Sequence, residues 1–206
     1  MVYKKQSDRA RILRDELSRH NHAYFILGRP EISDSQYDFM MRELYQIEEE
    51  FPDLATSDSP TQRVGANPAD NFAAVTHPTP MLSLRNAFNV EEFLTWHRQV
   101  SSLLNQPNFD MVCELKYDGL AVALTYEKGI FVKGATRGNG TVGEDITQNL
   151  RTIKSIPLRL LNDLVPPNFE VRGEVYFPKS EFTKLNETRT GMGLTPYSNP
   201  RNTAAG

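Results

Sequence analysis

The sequence predicts an α+β chain, with a helical hairpin at the N-terminus followed by a strand-rich region carrying further helices. Three observations lead there. Apolar residues recur at helical spacing through the first fifty positions, a proline-rich stretch follows, and after residue 110 the pattern turns to runs of β-prone residues.

From Ser7 onward, Ala10, Leu13, Leu17 and Tyr24 share one helical face, while Arg9, Arg11, Arg14, Asp15 and Arg19 supply the wet one. Gly28 and Pro30 stop this helix. The run Ser33-Asp34-Ser35-Gln36 has the form of a capping box and starts a second helix. Its stripe is Tyr37, Met41, Leu44 and Phe51, and Pro52 ends it. Five of the 13 prolines (Pro52, Pro60, Pro68, Pro78, Pro80) then predict an extended connector, with a domain boundary near residue 68. A third helix is expected over 90–104, with Phe93, Trp96, Val100, Leu103 and Leu104 inward. Strands are expected over 111–117, 120–126, 130–135 and 169–177, the middle two joined as a hairpin at Glu127-Lys128-Gly129. A short helix is expected over 144–152, and the run Arg189-Thr190-Gly191-Met192-Gly193 reads as a mobile loop.

Composition excludes several classes. With 206 residues, 39% hydrophobic and 24% charged, the chain is globular and not a disordered tail. No apolar run approaches the ~18 residues of a membrane span, and the N-terminus has no apolar core of secretory type. The one cysteine, Cys113, rules out a disulfide framework and a multi-thiolate zinc site. Together these predict a cytoplasmic protein with no membrane partner. His20, His22, His77 and His97 lack metal-ligand spacing, so no metal site is expected. Twenty-three Lys+Arg against 26 Asp+Glu give a net charge of −3, which argues against a basic surface spread over the whole chain for nucleic acid.

The stretch Cys113-Glu114-Leu115-Lys116-Tyr117-Asp118-Gly119 holds the most chemistry. Read as a strand, it puts Glu114, Lys116 and Asp118 on one face. Such a triplet fits a solvated edge equally well, but the apolar flanks (Met111, Val112 and 120–124) favour an interior strand. A lysine held there is a candidate nucleophile once its amine loses a proton. The two carboxylates favour the charged amine, so activation has to come from desolvation, added cations or a metal.

This run resembles the K-x-D-G motif of the covalent nucleotidyltransferases, which include DNA ligases, RNA ligases and capping enzymes. Further blocks are similar to bacterial NAD-dependent DNA ligases: 58–65 (DSPTQRVG), 80–84 (PMLSL), 135–138 (ATRG), 143–147 (GEDIT), 171–175 (VRGEV) and 199–202 (NPRN). They cover practically the whole chain. The resemblance implies a helical nicotinamide-mononucleotide-recognition module over 1–68 and an incomplete nucleotidyltransferase domain over 69–206, ATP-grasp-like, with antiparallel sheets and helices. It implies that Lys116 attacks the α-phosphate of NAD, releasing nicotinamide mononucleotide and forming lysyl-AMP, with Mg²⁺ assisting. The AMP would then serve to seal nicks in duplex DNA during replication and repair. By the same resemblance, Glu114 meets the adenine, Ser83 and Leu84 line the adenosine pocket, and Glu174 approaches the ribose. Asp118 is a ribose or metal-side partner, and Arg137 and Arg201 steady ribose or phosphate. Tyr24, Phe25, Asp34, Ser35, Gln36, Tyr37 and Asp38 match the segment that takes the nicotinamide half. Phe25 departs from the family's usual Tyr or His, keeping a stacking surface while losing a polar group.

On residue pattern alone, other readings stand beside these. Arg137 also reads as a solvated loop-end arginine and Glu174 as an exposed strand carboxylate. Asp34 and Asp38 could complement the helix dipole, and Tyr24 and Tyr37 could be core. Residues 138–143 spell G-x-G-x-x-G, but Glu144 and Asp145 sit where a pyrophosphate needs bare backbone donors, so an active-site loop is favoured over a Rossmann loop. The resemblance further implies a fragment, since relatives continue past this end with two more lysine motifs and a four-cysteine zinc module. Self-adenylation is then expected to be weak or lost. Two alternatives remain: a non-catalytic module binding NAD or nicotinamide mononucleotide, and a nicotinamide-dependent oxidoreductase using the glycine loop.

Overall fold

The computed structural model describes residues 2–27, 29–63, 72–161 and 165–205. They form an α+β chain that divides into two compact units, Met1–Thr76 with Ala121–Val175, and His77–Leu120 with Tyr176–Gly206. The expected boundary near residue 68 lies outside the described residues.

The first unit begins with α1, Val2–Asn21, which starts earlier than the expected Ser7. The Tyr3 ring meets Phe51 edge-on at 5.7 Å, a tertiary contact that local pattern does not reveal. The chain continues in a π-helical turn, His22–Ile26. That turn winds wider than an α-helix, so Tyr24 leaves the buried stripe and is 50% exposed, contrary to its expected inward place. Helix α2, Asp34–Glu50, starts as expected: the Ser33 hydroxyl accepts from the Gln36 N–H, and the Gln36 side chain accepts from the Ser33 N–H at 3.0 Å. Between the helices, Ala10, Leu13 and Leu17 pack with Leu44, Ile47 and Leu54, flanked by Tyr37, Met40, Met41 and Phe51. Each fully buried leucine contributes about 1.5–3 kcal/mol.

The segment after α2 is not simply extended. It coils into 3₁₀ turns at Pro52–Leu54 and Pro60–Arg63, which bring buried polar groups to α2. The Glu48 carboxylate accepts from Ser59 Oγ at 2.7 Å and from Thr61 Oγ1, and pairs with Arg14 at 3.4 Å. Arg63 then donates to the carbonyls of Arg151, Ile153 and Ile156 at 3.1, 2.9 and 2.8 Å. Arg151, also buried, donates to the carbonyls of Ser57 and Phe131. Asp58 pairs with Arg159 at 2.5 Å. These bonds fasten the hairpin to the sheet.

That sheet has strand order β3-β2-β5, with β2 Leu120–Glu127, β3 Ile130–Thr136 and β5 Asn168–Val175. β2 and β3 are antiparallel, with Glu127 opposite Ile130. Lys128 and Gly129 between them have φ of 50° and 78°, the left-handed pair that a two-residue hairpin loop requires. A second, antiparallel pair joins β1, Ala74–Thr76, to β4, Val142–Glu144. Helix α4, Thr147–Arg151, is shorter than expected because Glu144 belongs to β4. Ile146 and Leu150 are buried as expected.

In the second unit, α3 spans Val90–Leu104 as expected, capped by Asn89, whose side chain accepts from the Glu92 N–H at 2.9 Å. Its expected inward face is not buried: Leu103 is 87% exposed, and Phe93, Trp96 and Leu104 are exposed too. The expected mobile loop at 189–193 is instead a helix end. Helix α5 spans Lys179–Gly191, and Gly193, at φ 73°, turns the chain so that the Leu194 N–H donates to the Arg189 carbonyl at 2.9 Å. Helix α6 is Pro200–Ala205. Among the described residues, no helix is long and apolar enough to cross a membrane.

Two outcomes follow for the polar joint. Removing the Glu48 carboxylate takes the counter-charge from Arg14, which keeps the Leu54 carbonyl at 2.9 Å, and an acceptor from Ser59 and Thr61, so Glu48→Ala is expected to cost about 3 kcal/mol in urea denaturation followed by circular dichroism. Burial by itself would raise the Asp58 carboxyl, but hydrogen bonding and the Arg159 guanidinium outweigh it and hold it below the usual range. Its contribution is therefore complete above the unfolded value of about 4 and is lost as pH falls through the lower folded value. Wild-type and Asp58→Asn melting temperatures should differ at pH 7 and converge on acidification below about pH 4.

Candidate functional site

A cleft of about 460 Å³ opens in the first unit, a size typical of small-ligand sites. Three expected residues line it: Tyr24 from the π-helical turn, and Tyr37 and Asp38 from the first turns of α2. His20, Asn21, Glu31 and Lys154, none of which the sequence reading assigned to a binding site, line it as well. Lys154 arrives because Arg63 grips the carbonyls of Ile153 and Ile156 on either side of it. No local signal in the sequence could have placed it there. The Tyr37 hydroxyl donates to Asn21 Oδ1 at 3.0 Å. Burial pushes the Tyr37 hydroxyl up from its ordinary value, more than that bond pulls it down, so it stays a neutral donor. Aromatic faces, two carboxylates, a histidine and a lysine thus line one cavity.

The other expected residues of this segment stand apart. Ser35 and Gln36 are exposed and belong to the helix cap, with Ser35 Oγ 3.1 Å from Ser33 Oγ and Gln36 bonded to Ser33. The side chains of Phe25 and Asp34 lie outside the described part of the structure.

In the second unit, residues 111–118 are not a strand, contrary to expectation. A strand exists only when a ladder partner does, and the two sheets found contain no strand paired with this run. Its apolar flank is bare, with Val112 87% and Leu115 83% exposed. Glu114, Lys116 and Asp118 are exposed as well, so the expected interior lysine is a solvent-facing one here. Asp118 Oδ1 lies 3.4 Å from Arg201 Nη1, which brings two expected residues together across 83 positions of sequence. The Tyr117 and Tyr176 rings meet at 4.8 Å. Ser83 and Leu84 are exposed in a stretch that is neither helix nor strand.

Arg137 follows β3, its N–H donating to the Ala121 carbonyl at 3.0 Å, and the half-buried Glu174 lies in β5. The glycine loop between them in sequence closes on itself. Asn139 Oδ1 accepts from the N–H groups of Thr141 and Val142, both at 2.9 Å, and the Gly140 N–H donates to Arg137 O. A strand follows it, not the expected helix, so its backbone donors are spent and no helix N-terminus awaits a pyrophosphate. Among the described residues no group of three metal-ligating side chains occurs.

Residues 3–65 match the DNA ligase-like, N-terminal NAD⁺-binding domain, and residues 69–206 match the NAD-dependent DNA ligase adenylation domain. The chain belongs to the NAD-dependent DNA ligase family. It is 52% identical over 206 residues to a DNA ligase of Coprothermobacter proteolyticus, an overlap that covers 100% of this chain and 31% of that relative. Similar proteins in Dehalococcoides mccartyi (56% identical, 94% of this chain, 28% of the relative) and Geotalea daltonii (54%, 94% and 29%) are also DNA ligases. The chain thus spans about three-tenths of the length of these curated relatives. Its fold is α+β, consistent with the adenylation domain of the nucleotidyltransferases.

Gly138 explains one family block physically. Its φ is +55°, and a Cβ there would lie 1.9 Å from the Val142 carbonyl oxygen. Gly138→Ala is therefore expected to cost about 1–3 kcal/mol, read as a lowered melting temperature.

Proposed function

We propose that this chain carries the donor-recognition and adenylation steps of an NAD-dependent DNA ligase, with 1–68 taking the nicotinamide half of NAD and 69–206 the adenylyl half. The observation that carries the reading is the cleft, where Tyr24, Tyr37 and Asp38 of the hairpin come together. An aromatic wall suits the pyridine ring, and a carboxylate accepts hydrogen bonds from ribose hydroxyls.

In the adenylation step the Lys116 amine, having given its proton to solvent, attacks the α-phosphorus of NAD. A P–N bond forms, the P–O bond of the pyrophosphate breaks, and nicotinamide mononucleotide leaves with the electron pair. Arg201 beside Asp118 offsets one of the two carboxylates that flank Lys116 in sequence. Glu114, Ser83 and Leu84 hold the adenosine, while Arg137 and Glu174 steady its ribose and phosphate. Mg²⁺ would ride on the phosphates, as it commonly does with few protein ligands, and offset their charge. In the whole protein the AMP passes to a 5′-phosphate at a nick in duplex DNA, and a 3′-hydroxyl displaces it.

A second reading is a module that binds the nicotinamide half without forming an adduct. It is favoured by the contrast between a cleft built within the first unit and a Lys116 that stands exposed. The closed glycine loop speaks against the oxidoreductase reading.

Intact-mass analysis after incubation with NAD and Mg²⁺ separates these. The adenylation reading expects a gain of one AMP that Lys116→Ala abolishes. Ligand-induced thermal stabilisation with no mass gain would favour the binding module. Deleting residues 1–68 would strip the sheet of its polar partners, so the cleft is better tested by Tyr24→Ala and Asp38→Asn. Each is expected to weaken binding of nicotinamide mononucleotide roughly tenfold or more, by calorimetry, while AMP binding is unchanged.

A further inference from the structure

His20 lies at the end of α1 on the cleft wall and is only 7% exposed. Its Nε2 is 3.3 Å from Arg19 Nη2. A guanidinium has donors and no acceptor, so Nε2 accepts and the ring proton resides on Nδ1. That Nδ1 is buried and has no hydrogen-bond partner. The Glu31 Oε2 atom stands 3.4 Å away without hydrogen-bond geometry, and it also lies 3.5 Å from Arg19 Nε. A residue of the cleft wall therefore carries an unspent donor, covered on one side by the exposed, movable Glu31 side chain.

We propose that His20 is a specificity-determining residue of the cleft, its Nδ1–H donating to an uncharged acceptor oxygen on the nicotinamide mononucleotide half of NAD. This rests on the reading of the cleft given above. Glu31 on the same wall disfavours an anionic oxygen at that point, which leaves the carboxamide carbonyl or a ribose oxygen rather than the phosphate. A buried donor without a partner is costly, so a ligand that supplies the acceptor is selected over one that does not.

Calorimetric titration of nicotinamide mononucleotide into the full chain tests this, with His20→Phe keeping the ring volume and removing the donor. The variant is expected to bind roughly tenfold more weakly. In ¹⁵N-labelled wild type, the His20 ring should show Nδ1 protonated, and the Nδ1–H resonance should shift on adding the mononucleotide. An unshifted resonance overturns the proposal even where His20→Phe fails to fold, and so does an Nε2-protonated ring. Equal affinity of wild type and His20→Phe overturns the proposal and leaves the reading of the cleft intact. Wild type that does not bind the mononucleotide at all overturns both.

Discussion

The join between the helical hairpin and the sheet of the first unit depends on two arginines, half-buried Arg63 and buried Arg151, reaching backbone carbonyls. Arg63 and Arg151 lie 88 positions apart, yet Arg63 ends on the carbonyl of Arg151 and on two carbonyls beyond it, while Arg151 reaches back to Ser57. Burial pulls the Arg63 guanidinium below its ordinary value, and it still remains a cation. Such groups give geometry more than stability. A guanidinium held against carbonyls tolerates one arrangement of the chain, and that arrangement brings Lys154 to the cleft that Tyr24, Tyr37 and Asp38 line. The cleft is a consequence of the joint and not a property of the helical hairpin alone.

The two halves of the proposed reaction are unequally built. The nicotinamide side has walls, a buried donor and an aromatic face, all within one compact unit. The lysine side has its residues in sequence order and one ion pair, Asp118 with Arg201, but the Lys116 amine is exposed and its flanking Val112 and Leu115 are bare. Desolvation, the activating influence expected from the apolar flanks, is not supplied by the described residues around Lys116. On the proposed reading, donor binding and adduct formation are therefore separable steps.

Local chemistry was legible and distant chemistry was not. The Ser33–Gln36 capping box, the Lys128-Gly129 hairpin loop and the limits of α3 are set by neighbours in sequence, and each was readable there. The alternation over 111–117 reads as a strand, but a strand is completed by a partner that alternation cannot name. Tyr24 was misplaced because a π-helical turn shifts the register that a 3.6-residue period assumes. The glycines at 191 and 193 suggested a loop where they end a helix. Of the cleft, Tyr24, Tyr37 and Asp38 were readable through family motifs, whereas His20, Asn21, Glu31 and Lys154 depend on tertiary placement.

The dependence of the cleft on the Arg63 grip is tested most directly by hydrogen exchange and calorimetry on Arg63→Met beside the wild type. The expected result is that amides of residues 151–159 lose protection and affinity for nicotinamide mononucleotide falls, while amides of residues 8–20 keep their protection. Undiminished affinity in the variant, with 151–159 unprotected, would contradict it.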